Sequence, residues 1–189
     1  AHIKDVTSRF AVEGYVTVAP ELYHRTGPGF QGDYVDRVES LEHMKQLTNE
    51  GIVADVRAAY DMLVERGCAS VVAVGFCMGG RAAFLAASEI PLKAAVSFYG
   101  GGIAPALLDR VPQVQCPMLF FWGGLDEHIG ADQVQAVEAA MEAAGKNFES
   151  KTFPDADHGF HCDARDSYHE ASAKEAWRQT LDFLQVNTK

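Results

Sequence analysis

VVAVGFCMGGRAAFLA, residues 71–86, is the part of the sequence that indicates the architecture most clearly. A short run of β-branched and small apolar residues leads directly into a glycine-rich segment, and a run of helix formers follows. This order predicts a strand, a tight turn at Cys77 and then a helix. Such a unit is typical of a parallel sheet whose strands are connected by helices.

Short apolar runs and longer amphipathic stretches continue to alternate along the chain, which predicts one α/β domain over residues 1–189 with a mostly parallel sheet. The predicted strands are Tyr15–Val18, Ser70–Val74, Ala94–Phe98, Pro117–Phe121 and Phe148–Phe153. Apolar residues at helical spacing predict helices that end at Gly14, Gly67 and Gly145. A last helix is predicted to begin at Ser167, where Ser-x-x-Glu forms a capping box. Its predicted buried residues are Trp177, Leu181 and Leu184.

The composition is that of a globular protein, with 48% hydrophobic and 22% charged residues. A net charge of −10 argues against nucleic acid as a partner, because phosphate binding depends on Lys and Arg. No apolar run approaches the roughly 20 residues that a membrane-spanning helix needs, and the first residues do not resemble a signal peptide. We therefore expect a cytoplasmic protein with reduced thiols at Cys68, Cys77, Cys116 and Cys162. The even number of cysteines leaves two disulfides as an alternative.

Cys77 lies at the centre of a G-x-C-x-G sequence, which is the nucleophile-elbow pattern with cysteine in place of serine. The backbone of such a nucleophile is strained, so the glycines at positions 75 and 79 are expected to provide room where strand and helix converge. The helix N-terminus at this turn favours a thiolate. The backbone N–H of Met78 is predicted to stabilise the oxyanion that forms when Cys77 attacks a carbonyl.

A buried structural cysteine beside a glycine-rich turn is the alternative interpretation of this segment. A phosphate-binding loop is a second one, but neither G-x-x-x-x-G-K-[ST] nor G-x-G-x-x-G occurs in the sequence. The strand before Cys77 and the helix after it favour the nucleophile, because this context distinguishes the motif.

A cysteine nucleophile needs a histidine base and a carboxylate that orients the histidine, on loops after later strands. Residues 122–128 and 154–160 follow predicted strands and reach the same edge of the sheet as Cys77. They supply Asp126 as the predicted acid and His158 as the predicted base. The alternative acids are Asp155 and Asp157.

The residues His128, His158, His161 and Cys162 raise the alternative of a zinc site. His161 and Cys162 are adjacent in sequence and cannot readily bind one ion together, and no H-E-x-x-H motif occurs. The catalytic interpretation of His158 is therefore preferred, and no metal is predicted.

These residues resemble those of the dienelactone hydrolase family, and the resemblance extends over essentially the whole chain. Its most specific motifs are GFCMGG at residues 75–80, GGLD at residues 123–126 and HGF at residues 158–160. The resemblance implies an α/β-hydrolase fold with helices on both faces of the sheet. It also implies that Cys77 is the nucleophile, Asp126 the acid and His158 the base. The implied reaction is the hydrolysis of small esters and lactones through an acyl-enzyme, without a metal or organic cofactor.

Two departures from the family pattern change what the resemblance implies. The first is that family members carry N-terminal strands and a Gln/His-Glu-x-x-Gly loop ahead of the region that begins here. That loop supplies a second oxyanion donor and a glutamate that helps to control the thiolate. We therefore expect either an N-terminally incomplete chain or a homo-oligomer in which a second copy fills the gap in the sheet. A catalytically impaired homologue that acts as a binding or scaffold protein is the alternative function.

The second departure concerns the substrate. In the dienelactone hydrolases proper, an arginine four residues after the catalytic histidine helps to bind the substrate carboxylate, and here Cys162 has that position. The nearest arginine is Arg165, so the sequence does not favour dienelactone itself as the substrate. The residues predicted to contact the substrate are Phe76, Arg81, Trp122, Phe160 and Arg165.

Overall fold

The fold is that of a computed structural model, which describes residues 2–32 and 38–188. The chain forms two compact units, Ala1–Ala69 and Ser70–Lys189. This division does not test whether residues 1–189 form one domain, so the single domain stays a prediction.

The described part of the first unit contains three helices, α1 (His2–Val12), α2 (Val38–Lys45) and α3 (Asn49–Glu65). The α3 helix begins at a side-chain cap, because Thr48 Oγ1 accepts a hydrogen bond from the backbone N–H of Gly51 at 3.0 Å. Gly14 follows α1 with a φ of 91°, and Gly67 follows α3 with a φ of 87°. Both predicted helix ends are therefore confirmed.

The predicted strand at Tyr15–Val18 is wrong. The alternating Tyr-Val-Thr-Val sequence favours an extended backbone, but a strand also needs a neighbouring strand for its backbone N–H and C=O groups. No strand among the described residues pairs with this segment. Instead, the N–H of Tyr15 donates to the carbonyl of Phe10 at 3.1 Å and completes the end of α1.

The second unit contains a four-stranded sheet in which every neighbouring pair is parallel, as the sequence predicts. Its strands, in the spatial order β1-β2-β3-β4, are β1 (Val72–Phe76), β2 (Ala94–Phe98), β3 (Met118–Gly123) and β4 (Phe148–Phe153). The helices of this unit are α4 (Met78–Glu89), α5 (Ala131–Ala143), α6 (Glu170–Asn187) and a 3-10 helix at Leu108–Gln113. Because the strands are parallel, the segments that follow them leave from one edge of the sheet.

The central strands β2 and β3 are buried along their whole length, because each is flanked by strands on both sides. On one face, a phenylalanine near the carboxyl end of each strand contacts the next one. The ring centroids are 4.4 Å apart for Phe76 and Phe98, 4.7 Å for Phe98 and Phe121, and 5.9 Å for Phe121 and Phe153. Such pairs contribute about 0.5–1.5 kcal/mol each beyond the burial of their area. This aromatic row stabilises the strand ends from which the site loops leave.

The last helix, α6, begins later than the capping-box pattern predicts. His169 rather than Ser167 is the N-cap residue, and its side chain makes no capping hydrogen bond. Glu170, the expected partner of a serine cap, instead forms an ion pair with Lys174 at 2.5 Å, one turn along the helix. The acidic partner of the capping box is therefore used within α6 and not at its cap.

The buried face of α6 also differs from the prediction. Its buried residues are Ser172, Ala173, Ala176, Thr180, Phe183 and Leu184. Of the predicted residues, Leu184 is buried, whereas Trp177 and Leu181 are half-buried. Small residues such as Ala176 and Thr180 line the packed face. The prediction considered only large apolar residues, so it missed them.

No helix in residues 2–32 and 38–188 is long and apolar enough to cross a bilayer. All four cysteines are free thiols, so the alternative of two disulfides is wrong.

Candidate active site

The turn after β1 holds Cys77 in the strained backbone that the sequence predicts. Its φ of 55° and ψ of −116° lie in a region that residues with a side chain rarely adopt. The N–H of Cys77 donates to the carbonyl of Phe98 in β2, and the carbonyl of Cys77 accepts from the N–H of Gly80 in α4, both at 2.9 Å. The strand, turn and helix that characterise a nucleophile elbow are therefore present.

Two glycines at this turn have no room for a side chain. A Cβ on Gly75 would overlap the carbonyl of Gly79, and a Cβ on Gly80 would lie 2.7 Å from the carbonyl oxygen of Phe98. Gly79, predicted from the motif to be the second required glycine, has open space where a Cβ would lie. That expectation is wrong, because it is the backbone of Gly79 that approaches Gly75.

Gly75→Ala is expected to lower the melting temperature by about 2–12 °C. Overpacking a rigid contact costs roughly 1–3 kcal/mol, and each kcal/mol shifts the midpoint of a chain this size by about 2–4 °C. Gly79→Ala is the matched control, and it is expected to leave the melting temperature unchanged or slightly raised, because alanine favours a helix over glycine. Thermal unfolding followed by circular dichroism measures both variants. Equal losses would contradict the close approach at Gly75.

The loops after β3 and β4 are joined by backbone hydrogen bonds. The N–H of Gly124 donates to the carbonyl of Phe153 at 2.8 Å, and the N–H of Leu125 donates to that of Ala156 at 2.9 Å. Gly123 also packs against this second loop, since a Cβ on it would lie 2.7 Å from the Ala156 carbonyl oxygen. These contacts bring the predicted acid and the predicted base onto adjacent loops.

The Asp126 carboxylate is held at both of its oxygens. Oδ1 accepts from the backbone N–H of His128 at 2.8 Å and of Ile129 at 3.1 Å. Oδ2 lies 2.7 Å from Nδ1 of His158. Burial alone would raise the pKa of Asp126, but the hydrogen bond and charge of His158 and the two N–H donors hold that pKa below its ordinary value. The lowered pKa keeps the carboxylate ionised. The side chain is only 1% exposed, so this charge is buried and faces the histidine.

The imidazole of His158 connects this carboxylate to the thiol. Its Nε2 lies 3.1 Å from Sγ of Cys77. Burial lowers the pKa of His158, but hydrogen bonds to Asp126 and Cys77 and the charges of both groups raise it overall to about 9. The structure therefore brings the three residues predicted as nucleophile, acid and base into one hydrogen-bonded chain. Both ring nitrogens are engaged in it, which leaves neither for the alternative zinc site with His128, His161 and Cys162.

The surroundings of Cys77 favour its thiolate. Burial alone would raise the pKa of the thiol, but the hydrogen bond and charge of His158, the backbone N–H of Met78 and the charge of Arg165 bring it below its ordinary value. The action of this N–H as the oxyanion donor stays a prediction. The sequence predicts an activated thiol from the helix N-terminus, and the charges of His158 and Arg165 lower the pKa of this thiol further.

The two arginines predicted to contact a substrate have different surroundings. A Cβ on Gly159 would lie 2.8 Å from Nη1 of Arg165, so this guanidinium lies against the residue that follows the predicted base. Its charge also acts on Cys77. Arg81 is half-buried and donates a hydrogen bond to the carbonyl of Gly102. The charge of Arg165 therefore contributes to the lowered pKa of Cys77.

The three aromatic residues predicted to contact a substrate are buried. Phe76 belongs to the aromatic row, and Phe160 is 0% exposed. Trp122 follows a member of that row in β3, so it points to the opposite face of the sheet, where its indole N–H donates to Ser150 Oγ at 3.0 Å. Contact of these rings with a substrate stays a prediction, and the contacts observed are those of a packed core.

Two rings beside His158 are not identified by the sequence motifs. Tyr99, directly after β2, has its ring centroid 5.1 Å from that of His158. The ring of His128 is perpendicular to the imidazole at a centroid distance of 5.3 Å. The sequence offered a signal of position, because Tyr99 directly follows a predicted strand at the same edge as Cys77 and precedes three glycines.

Comparisons with known proteins agree with one another. The sequence model of the dienelactone hydrolase family matches residues 1–187. A Synechocystis protein named as a candidate carboxymethylenebutenolidase is 35% identical over 201 residues, which cover 100% of this chain and 82% of that protein. A Salmonella typhimurium protein of the same name is 34% identical over 97% of this chain and 71% of its own length.

Solved structures show the same relationship. The crystal structure of a candidate dienelactone hydrolase from Klebsiella pneumoniae matches with a TM-score of 0.87 and 34% identity, over 96% of this chain and 79% of that chain. A dienelactone hydrolase-like phosphotriesterase from metagenomic libraries matches with a TM-score of 0.85 and 20% identity, over 100% and 81%, which shows likeness of fold alone. The parallel sheet with its helices is an α/β-hydrolase fold, so the predicted fold class is confirmed.

Proposed function

This chain belongs to the dienelactone hydrolase family and is a hydrolase, and from that premise we propose that it cleaves small carboxylic esters or lactones with Cys77 as its nucleophile. The observation that carries the proposal is the hydrogen-bonded chain from Cys77 through His158 to Asp126, with contacts of 3.1 Å and 2.7 Å. Each group lies within proton-transfer distance of the next, which is the geometry that nucleophilic acyl transfer requires.

The first half of the reaction forms the acyl-enzyme. Cys77 starts as a thiolate beside the His158 imidazolium, as the lowered pKa of the first and the raised pKa of the second support. The sulfur attacks the carbonyl carbon, and the negative charge moves to the carbonyl oxygen, where the N–H of Met78 stabilises it. The carbonyl re-forms as the bond to the leaving oxygen breaks, and Nε2 of His158 protonates that oxygen.

The second half releases the acid. Neutral His158 takes a proton from water through Nε2, and the resulting hydroxide attacks the thioester carbonyl. The carbon–sulfur bond breaks, and Cys77 returns to the thiolate beside an imidazolium. Asp126 stays ionised throughout, holds the proton on Nδ1 and stabilises the charged ring.

Arg165 bears on the class of substrate. Its cation acts at Cys77, so an acyl group with a negative substituent near the reacting carbonyl gains an attraction that a neutral acyl group does not. A small acidic ester or lactone is the substrate class that this charge favours.

The alternative, a catalytically impaired homologue that serves as a scaffold, is not favoured. It gives no reason for a thiol with a lowered pKa, an ionised buried carboxylate and an imidazole held between them. These features are typical of a site that transfers protons.

The pH dependence of two reactions tests the proposal. The alkylation of Cys77 by iodoacetamide needs only the thiolate, so its rate is expected to rise with pH and to reach half its maximum below the ordinary thiol value of about 8.5. The acylation of Cys77 by an unactivated alkyl ester such as ethyl acetate needs a protonated His158, because the leaving alkoxide must receive a proton, so kcat/KM, followed by the release of acid, is expected to fall above pH 9, the pH at which the ring loses its proton. The alkylation rate should not fall there.

Mass spectrometry identifies the alkylated cysteine. Cys116 serves as an internal control, because burial raises the pKa of its thiol to about 11 and it should stay unlabelled below pH 9. A midpoint near 8.5 for Cys77, together with ester turnover that is independent of its alkylation, would overturn the proposal and support the scaffold alternative.

A further inference from the structure

We propose that Tyr99 is a positioning residue, whose ring keeps the His158 imidazole in its working orientation while Cys77 carries the acyl group. The inference rests on the proposed function, because it assigns Tyr99 a task in the same reaction. The ring centroids of Tyr99 and His158 are 5.1 Å apart, and the ring planes meet at 57°. This is the range of centroid distances at which aromatic rings attract each other.

The reaction cycle removes one of the supports of His158. In the resting site, hydrogen bonds at both ring nitrogens orient the imidazole, one to Asp126 and one to Cys77. Once the sulfur is bonded to an acyl group, the thiolate that accepts from Nε2 no longer exists. The imidazole then keeps its hydrogen bond to Asp126 and its ring contacts. A tilt of the ring with Nδ1 still bonded to Asp126 would move Nε2 away from the attacking water. A rigid ring beside the imidazole limits this tilt.

Tyr99 is itself held rigidly. Its side chain packs on Phe160 at a centroid distance of 5.2 Å and on Phe98 at 6.2 Å, and the residue is 2% exposed. Burial raises the pKa of Tyr99, so the ring stays neutral while its neighbours change charge.

The backbone of Tyr99 supports a functional constraint. Its φ of 37° lies in the left-handed region, which costs a residue with a side chain roughly 1–3 kcal/mol and is found preferentially at functional sites. The N–H of Tyr99 donates to the carbonyl of Phe121 at 2.7 Å, so β3 holds this conformation. In the described residues, Cys77 is the other non-glycine with a positive φ, and it is the candidate nucleophile.

The experiment measures acylation and deacylation separately. Rapid mixing with p-nitrophenyl acetate gives a burst of p-nitrophenol, whose amplitude counts active sites, and a slower phase that reports deacylation. Tyr99→Leu is expected to lower the deacylation rate constant by about 10- to 100-fold per active site, since misplacement of a catalytic group by 1 Å costs up to about 100-fold. Tyr99→Phe keeps the ring and is expected to rescue deacylation to within a few-fold of the wild type.

Phe120→Leu is the matched control for lost packing. Phe120 is 0% exposed and lies next in β3 to Phe121, on the other face of the sheet. Its loss is expected to reduce the melting temperature and the burst amplitude but not the deacylation rate constant. If Tyr99→Leu does not fold, Tyr99→Met serves in its place, because its unbranched, flexible side chain adapts to the gap without a flat ring.

The outcomes separate this inference from the proposed function. Retained turnover in Cys77→Ala would contradict the proposed function whatever the Tyr99 variants do. If Cys77→Ala is inactive and the Tyr99 variants without a ring deacylate like Phe120→Leu, only the positioning role is overturned.

Discussion

Cys77→Ala is expected to lower the turnover of p-nitrophenyl acetate on the order of 10⁴- to 10⁶-fold. In the proposed reaction the sulfur forms the acyl-enzyme, and an alanine methyl group can neither ionise nor attack. Removal of the nucleophile from a triad lowers the rate by about this factor, because the base and the acid give little acceleration without a nucleophile to activate. Steady-state hydrolysis and intact-mass detection of the acetylated enzyme measure the effect.

Cys68→Ala is the matched control, since Cys68 is also a free, half-buried thiol, and it is expected to keep full activity. Cys77→Ser is expected to be nearly inactive, because the surroundings that ionise a thiol do not ionise a hydroxyl at neutral pH. Turnover in Cys77→Ala within tenfold of the wild type would rule out a cysteine nucleophile at this position.

Asp126→Asn is expected to reduce kcat by about 10⁴-fold, the cost of the same change in a serine triad. The reason lies in how the two loops hold this side chain. Backbone N–H groups of His128 and Ile129 point at Oδ1, so an asparagine must place its oxygen there and its amide nitrogen towards Nδ1 of His158. Nδ1 must then accept, the ring proton moves to Nε2, and neutral His158 can no longer take a proton from water.

Asp157→Asn controls for the loss of a carboxylate beside the histidine. Asp157 is exposed, and its Oδ1 accepts from the backbone N–H of His158 at 2.5 Å, with no bond to the ring. Its activity is expected to stay within a few-fold of the wild type. A larger loss at Asp157 than at Asp126 would mean that the acid is on the other loop, as one alternative from the sequence holds.

The three residues of the hydrogen-bonded chain could be predicted from the sequence because their placement follows from chain order. A parallel sheet delivers the ends of its strands to one edge, so Cys77, Asp126 and His158, each just after a strand, had to approach each other. The strained turn at Cys77 was predictable for the same reason, since a strand that turns at once into a helix leaves few backbone conformations.

Features that depend on packing between distant segments could not be predicted in this way. The crowding at Gly80 comes from Phe98 in the neighbouring strand, and nothing in the local motif separates it from the roomy position at Gly79. Likewise, Tyr15–Val18 has the composition of a strand, but pairing depends on what lies beside it. Local propensity is a weak guide when the partner is remote in sequence.

Side-chain direction explains why the aromatic residues that contact the substrate could not be assigned from the sequence. Neighbouring residues of a strand point to opposite faces, so one aromatic of a Phe-Trp pair lies on the site face and the other does not. The sequence of β3 does not say which, and the structure directs Trp122 to Ser150. Arg165 could be named, but its proximity to Gly159 arises from the return of the chain after the base loop.

The left-handed backbone at Cys77 has a consequence for protein engineering. Glycine would relax this conformation and recover up to roughly 1–3 kcal/mol, whereas every residue with a side chain keeps the strain. Thermal stability and reactivity therefore make opposite demands on one position. A selection for heat-resistant variants that ignores activity will favour glycine at residue 77 and yield an inactive protein. Such a selection has to keep this cysteine constant.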